Sequence, residues 1–174
     1  MALATRPIAL ESNLIDQHSQ FAMEVMFKMK AAFLIGRLVF GGFFLYNGIN
    51  HLKERKSLGQ YAQSKNVPMA EAVVAASGVA LIAGGTSILL GLKPKLGAAA
   101  IAGFLAGVSP IMHDFWSVQD SQQRMNEMIN FSKNVALLGG AIALMGVEEP
   151  WPASVPVGQV HDYSERDYED LVAA

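Results

Sequence analysis

The 174-residue chain has no cysteine. That excludes a disulfide framework, a Cys zinc site, Cys-ligated iron–sulfur clusters and any thiol redox step carried by the chain itself. Charge is scarce: 16% of the residues are Asp, Glu, Lys or Arg, against about a quarter in an average soluble domain. A basic surplus is also missing. Thirteen Lys and Arg face 15 Asp and Glu, so there is no electrostatic footprint for nucleic acid, and no nucleic-acid partner is expected. No H-x-x-x-H or comparable ligand pair occurs, so no metal is expected.

What the chain does have is apolar length. Hydrophobic residues make up 52% and the mean hydropathy is +0.29. They gather in four blocks: 31–49, 71–92, 96–112 and 131–147. A hydrocarbon core of ~30 Å takes about 20 helical residues. A soluble bundle would instead show a polar face at 3.6-residue spacing, and the second and third blocks have no charged face. Strands are disfavoured by the Ala, Leu and Gly content and the lack of alternation. The expected fold is an all-α, integral membrane four-helix bundle. Small residues recur every fourth position at Ala76, Ala80 and Gly84, at Ala99, Gly103 and Gly107, and at Gly139 and Ala143. Such ridges are expected to let helices approach closely in lipid.

Three regions follow. Residues 1–30 form an N-terminal extension. Leu14, Phe21, Ala22, Val25, Met26 and Met29 share one helical face there, which predicts an interfacial amphipathic helix. Residues 31–147 form the transmembrane domain. Residues 148–174 form an acidic tail, with seven carboxylates and one Arg. Its composition predicts an exposed, flexible segment that could dock a basic partner. Without that tail the chain keeps 12 of its 13 Lys and Arg but only 8 of its 15 Asp and Glu, a net +4. The segments 50–69 and 113–130 are polar connections. Asn66-Val67-Pro68 and Lys93-Pro94-Lys95 are turn signals, the second making an antiparallel hairpin of spans two and three.

Four spans put both ends of the chain on one side, face A, and the two polar connections on the other, face B. Parity therefore gathers Tyr46, Asn47, Asn50, His51, Glu71, His113, Asp114, Trp116, Lys133 and Asn134 near face B. One reading is a small-molecule or proton-active site at the mouth of the bundle. The other is the ordinary enrichment of such residues at membrane interfaces. Lys133 is expected to pair with Asp114 or Glu71, since ionisable groups in membranes pair. Arg37 stands apart, roughly 21 Å along the helix from His51. It would snorkel to face A, donate hydrogen bonds to Thr86 and Ser87 near the face A end of span two or to freed carbonyls, or contact a lipid or quinone head group.

Several short motifs follow one another in order: Gly36-Arg37 with Phe40-Gly41, then Tyr46-Asn47-Gly48-Ile49-Asn50-His51-Leu52, then Tyr61-Ala62 through Val67-Pro68. They continue in His113-Asp114-Phe115-Trp116, in Asn130-Phe131-Ser132-Lys133-Asn134 and in Ala136-Leu137-Leu138-Gly139-Gly140. In these residues the chain resembles the DoxX family of small bacterial membrane proteins. The resemblance implies a multi-pass protein of the bacterial inner membrane, with membrane lipids as its surroundings. It also implies association with redox complexes, including thiosulfate:quinone oxidoreduction. Arg37, His51, His113, Trp116, Lys133 and Asn134 are the positions it marks for a family-specific site.

Two functions are expected to compete. The first is a non-catalytic subunit or anchor of a redox or bioenergetic complex, with other membrane subunits as partners. The second is a quinone- or lipid-active oxidoreductase with its site near His51 and His113, where an imidazole would exchange a proton with a quinone oxygen. The chain has no flavin or nicotinamide fingerprint, so electron transfer would need a bound cofactor such as a quinone. A small transporter is a third, weaker fit, since there is no broken-helix pair.

Overall fold

The computed structural model describes residues 8–155, without the side chains of 8–16 and 18. Among them are five α-helices and no strand: α1 (Ile8–Lys53), α2 (Arg55–Ser64), α3 (Ala70–Leu90), α4 (Pro94–Met112) and α5 (Ser121–Met145), with a 3₁₀ turn at Phe115–Ser117. Four helical stretches are long and apolar enough to cross a membrane: Ser19–Lys53, Ala70–Leu90, Pro94–Ser117 and Ser121–Met145. The expected all-α bundle of four spans is present.

The span boundaries differ from the hydropathy blocks in two places. α1 is one unbroken helix from Ile8 through residue 30, so residues 8–30 continue directly into the first span. Arg37 lies level with Leu89 near the end of α3. The earlier half of α1 therefore runs past the face A end of the bundle, and its side chains from Ser19 to Lys30 are all exposed. At the other end, α5 starts ten residues before the apolar block. Asp120 caps it by accepting from the Gln123 amide at 2.7 Å, which satisfies one of the amides a helix start leaves free. The connection 113–130 is thus largely helical, and so is 50–69, where α2 lies.

Close packing also differs from expectation. Of Ala76, Ala80 and Gly84 only Gly84 is buried. A Cβ on Gly103, Gly107 or Gly139 would meet nothing within 4 Å. The close approaches fall at seven-residue spacing instead. A Cβ on Gly48 would lie 2.7 Å from the Gly78 carbonyl, and one on Gly85 would lie 2.7 Å from the Gly41 carbonyl. α3 and α4 meet in the same way, with Gly84 against the Gly97 carbonyl at 3.0 Å. The reason is angular. At 100° per residue a step of four drifts by about 40° and a step of seven by about 20°, so only the longer step keeps a seam facing a neighbour over several turns.

The core runs through the face A half of the bundle: Phe44, Leu81, Ile88, Ala98, Ile101, Leu105, Ala141 and Trp151. Trp151 corrects the expectation for the tail. From Glu148 to Val155 the chain folds back over face A, and Trp151 is only 2% exposed. Its ring meets Phe33 edge-on at 5.2 Å. Residues 156–174, with five of the seven tail carboxylates, lie outside the described residues.

Candidate functional site

At face A the chemistry is structural. The last four carbonyls of a helix lack helical donors, and α3 ends on Gly91 at φ +70°. Leu92 N–H donates to the Ser87 carbonyl at 3.1 Å and Gly91 N–H to the Ile88 carbonyl at 3.3 Å, a Schellman ending. Arg37 takes the third, its Nη2 donating to the Leu89 carbonyl at 3.0 Å. Val155 N–H takes the fourth, Leu90, at 2.9 Å. Arg37 also donates from Nη1 to the Pro152 carbonyl at 2.7 Å and from Nη2 to that of Ala153 at 3.0 Å. A cation at a helix C-terminus is further favoured by the macrodipole. Arg37 is 3% exposed, so it does not snorkel. Its guanidinium ties α1, α3 and the C-terminal segment together.

At face B the ten gathered residues divide into separate groups. The first is built around His51. α1 and α3 touch at Gly48 and Gly78, and a Cβ on Gly78 would lie 3.0 Å from that of His51. This brings the His51 Nδ1 to 2.9 Å from the Ser77 hydroxyl. That hydroxyl spends its proton on the Val74 carbonyl at 2.8 Å. Its oxygen therefore accepts from Nδ1–H, which leaves Nε2 as the acceptor of the neutral ring. His51 and Ser77 are the polar side chains in the wall of an otherwise apolar cavity of about 330 Å³. Its other walls include Leu58 and Ala62 of α2, Val73 of α3, and Phe104 and Ile111 of α4. Gly103 and Gly107 also line it, and their missing side chains give it width. Val73 and Ile111 are exposed, so the cavity opens to the outer surface between α3 and α4.

The second group is a polar clamp. His113 Nδ1 lies 2.8 Å from the Glu127 carboxylate. The Tyr61 hydroxyl reaches the Met112 carbonyl at 3.3 Å and Glu127 at 3.4 Å. Lys65 pairs with Asp114. Together these pin α2 over the ends of α4 and α5. Burial, then the Glu127 charge, raises the Tyr61 phenol above its ordinary pKa. The hydrogen bond that Lys65 donates to Asp114 raises the Lys65 ammonium above its ordinary pKa. Trp116 sits beside this clamp, edge-on to Phe115 and Phe131 at 5.1 and 5.9 Å.

The rest are not drawn into either group. Glu71 pairs with Arg55 at 3.1 Å on the surface, and Asp114 is taken by Lys65, so neither meets Lys133. Tyr46 is 70% exposed. The Asn47 amide donates to the Phe43 carbonyl at 2.8 Å. Asn50, Lys133 and Asn134 have no side-chain partner among the described residues. Ser77, Lys65 and Glu127 are the partners in these groups that sequence reasoning missed. Ser77 was signalled as the only hydroxyl between Ala70 and Gly85. Lys65 was signalled by standing four residues after Tyr61. Glu127 was hidden in what looked like a loop. Among the described residues no three His, Asp or Glu side chains form a metal-binding group.

A family model named DoxX matches residues 32–114. Over those residues, a little under half of the chain, the sequence is similar to a DoxX domain. With its four apolar helices the chain is a multi-pass membrane protein. No curated protein and no solved structure matches the chain. The matched stretch runs from α1 through α4, and so holds the whole lining of the His51 cavity, together with Arg37, His113 and Asp114. Glu127, Lys133 and Asn134 stand on α5, beyond it.

Proposed function

We propose that this protein is a quinone-binding subunit of a redox complex in the bacterial inner membrane, and that it binds rather than turns over its ligand. The observation that supports this is the His51 cavity. Its volume is at the lower end of small-molecule sites, which run from about 300 to 1,000 Å³. Its apolar walls suit a ring and the start of an isoprenoid chain, and its opening between α3 and α4 faces the lipid. One polar pair at the wall fits one ring oxygen. With Nδ1 committed to Ser77, the neutral imidazole offers Nε2 as an acceptor, which suits the hydroxyl of a quinol better than the carbonyl of a quinone. A quinone, when bound, supplies two-electron, two-proton chemistry. The chain's own residues bind and orient the ring and exclude water from it.

The test is equilibrium binding of a short-chain ubiquinol to the full chain in lipid nanodiscs. Saturable binding is expected, at least tenfold weaker in His51→Ala and lost in Gly107→Leu, which fills the cavity. A wild-type protein without saturable binding, or variants that bind as well as it does, would overturn the reading. The exposed N-terminal part of α1 favours a second role alongside, as an anchor for other subunits. Phe21, Phe27 and Met29 are each more than 65% exposed there.

A further inference from the structure

α1 and α5 pack less closely on each other than α1 does on α3 or α5 on α4, and their seam changes character along its length. In the face A half, the Phe40 ring lies 3.3 Å from where a Cβ on Gly140 would stand. That contact sets the antiparallel register to within about one turn. Two helical turns toward face B, Asn47 and Asn50 of α1 therefore come near the level of Lys133 and Asn130 of α5. The aromatic seam thus gives way to amides and one ammonium. Asn50, Asn130, Lys133 and Asn134 have no side-chain partner among the described residues, and the Asn47 carbonyl oxygen is likewise unused. Inside a span such groups are costly unless something pairs them.

Position says what could pair them. Lys133 lies six residues into α5 from Glu127, the residue bound to the end of α4, or about 9 Å along the axis. Helical side chains lean toward the helix N-terminus, and the N-terminus of α5 is at face B. The Lys133 ammonium is thereby aimed at the head-group layer, with its alkyl stem along the seam. It is exposed and forms no ion pair among the described residues.

We infer that the face B half of the α1–α5 seam is a binding site for the phosphate of an anionic phospholipid. Lys133 supplies the charge. Asn50 and Asn130 donate amide hydrogens, and the acyl chains lie along the outer faces of the two helices. Basic clefts between spans are known to take such head groups, and lysine binds phosphate as a point charge. The site is separate from the His51 cavity, so it stands or falls independently of quinone binding.

The test is native mass spectrometry of the full chain, exchanged in mild detergent with phosphatidylglycerol or with phosphatidylcholine of the same acyl chains. Wild type is expected to retain phosphatidylglycerol at least tenfold better. Lys133→Gln should abolish that preference, Lys133→Arg should restore it, and Lys53→Gln, at the tip of α1, should leave it unchanged. Millimolar inorganic phosphate should not displace the lipid, which distinguishes a lipid site from a free-anion site. Equal retention of both lipids by wild type, or an undiminished preference in Lys133→Gln, would overturn the proposal. So would cross-linking of Lys133 to a carboxylate of another subunit in native membranes.

Discussion

Replacing Arg37 with Met removes a charge but keeps the length of the side chain. Three carbonyls, Leu89, Pro152 and Ala153, then lose their donor. A hydrogen bond to a charged group contributes about 1.5–3 kcal/mol, and an orphaned buried acceptor costs about 1–3 kcal/mol. Against this, burying the guanidinium is itself expensive, and an apolar replacement recovers part of that cost. Removing one partner of a buried charged contact typically costs about 3–5 kcal/mol. With part of the desolvation recovered, about 3 kcal/mol is expected here. Two of the three bonds hold the C-terminal segment, so the loss falls mainly on its docking. Three kcal/mol is about a hundredfold in the docking equilibrium.

Trp151 reports that equilibrium. It is 2% exposed, whereas Trp116 is 55% exposed, so a Trp116→Phe background isolates the buried ring. Arg37→Met should red-shift the Trp151 emission and open it to acrylamide. It should also speed amide exchange at Val155, whose N–H is bonded to the Leu90 carbonyl. Arg37→Lys, with a point charge in place of a fork, should fall between. Unchanged quenching and unchanged exchange in Arg37→Met would refute the reasoning.

Two other outcomes follow from packing and charge. Gly85→Leu would drive a Cβ to 2.6 Å from the Leu45 amide nitrogen, so α1 and α3 must part. Its thermal unfolding midpoint in detergent should fall sharply, by about 3 kcal/mol of stability or more, while Gly139→Leu, with nothing within 4 Å, should leave it unchanged. The clamp over face B should weaken at alkaline pH. Lys65 and Tyr61 both titrate above their ordinary values in the folded protein. Their stabilisation is therefore complete below the unfolded values near ~10 and is lost as pH rises through the folded ones. Tyrosinate absorbance should show a late-ionising phenol that is absent in Tyr61→Phe and moved toward the ordinary range in Glu127→Gln.

Much of the architecture was legible because the bilayer imposes it. Blocks of 17–22 largely apolar residues, with at most one acid at an end, have few other stable fates, and parity then assigned the ends. The Lys93 turn was readable because Pro94 cannot continue a helix ending before it. α5 was read ten residues short for a physical reason. Gln122, Gln123, Arg124, Asn126 and Glu127 lower the hydropathy of a segment that is helical by propensity and capped by Asp120. The small-residue ridges were misplaced because spacing shows which residues are small but not which side meets a neighbour. The tail was misjudged at Trp151, since its acidic composition outweighed one large apolar ring.

The sequence by itself determined the class of protein: four apolar helices, no thiol chemistry, polar residues collected at one face. It could do so because burial in lipid depends on length and composition, which are local. Tertiary structure alone decided the pairings. His51 met Ser77 rather than His113, and Asp114 met Lys65 rather than Lys133. Arg37 met the end of α3 and a segment more than a hundred residues away. Those choices rest on helix register and on the few glycines that let backbones touch, and neither is written in the composition of any one segment.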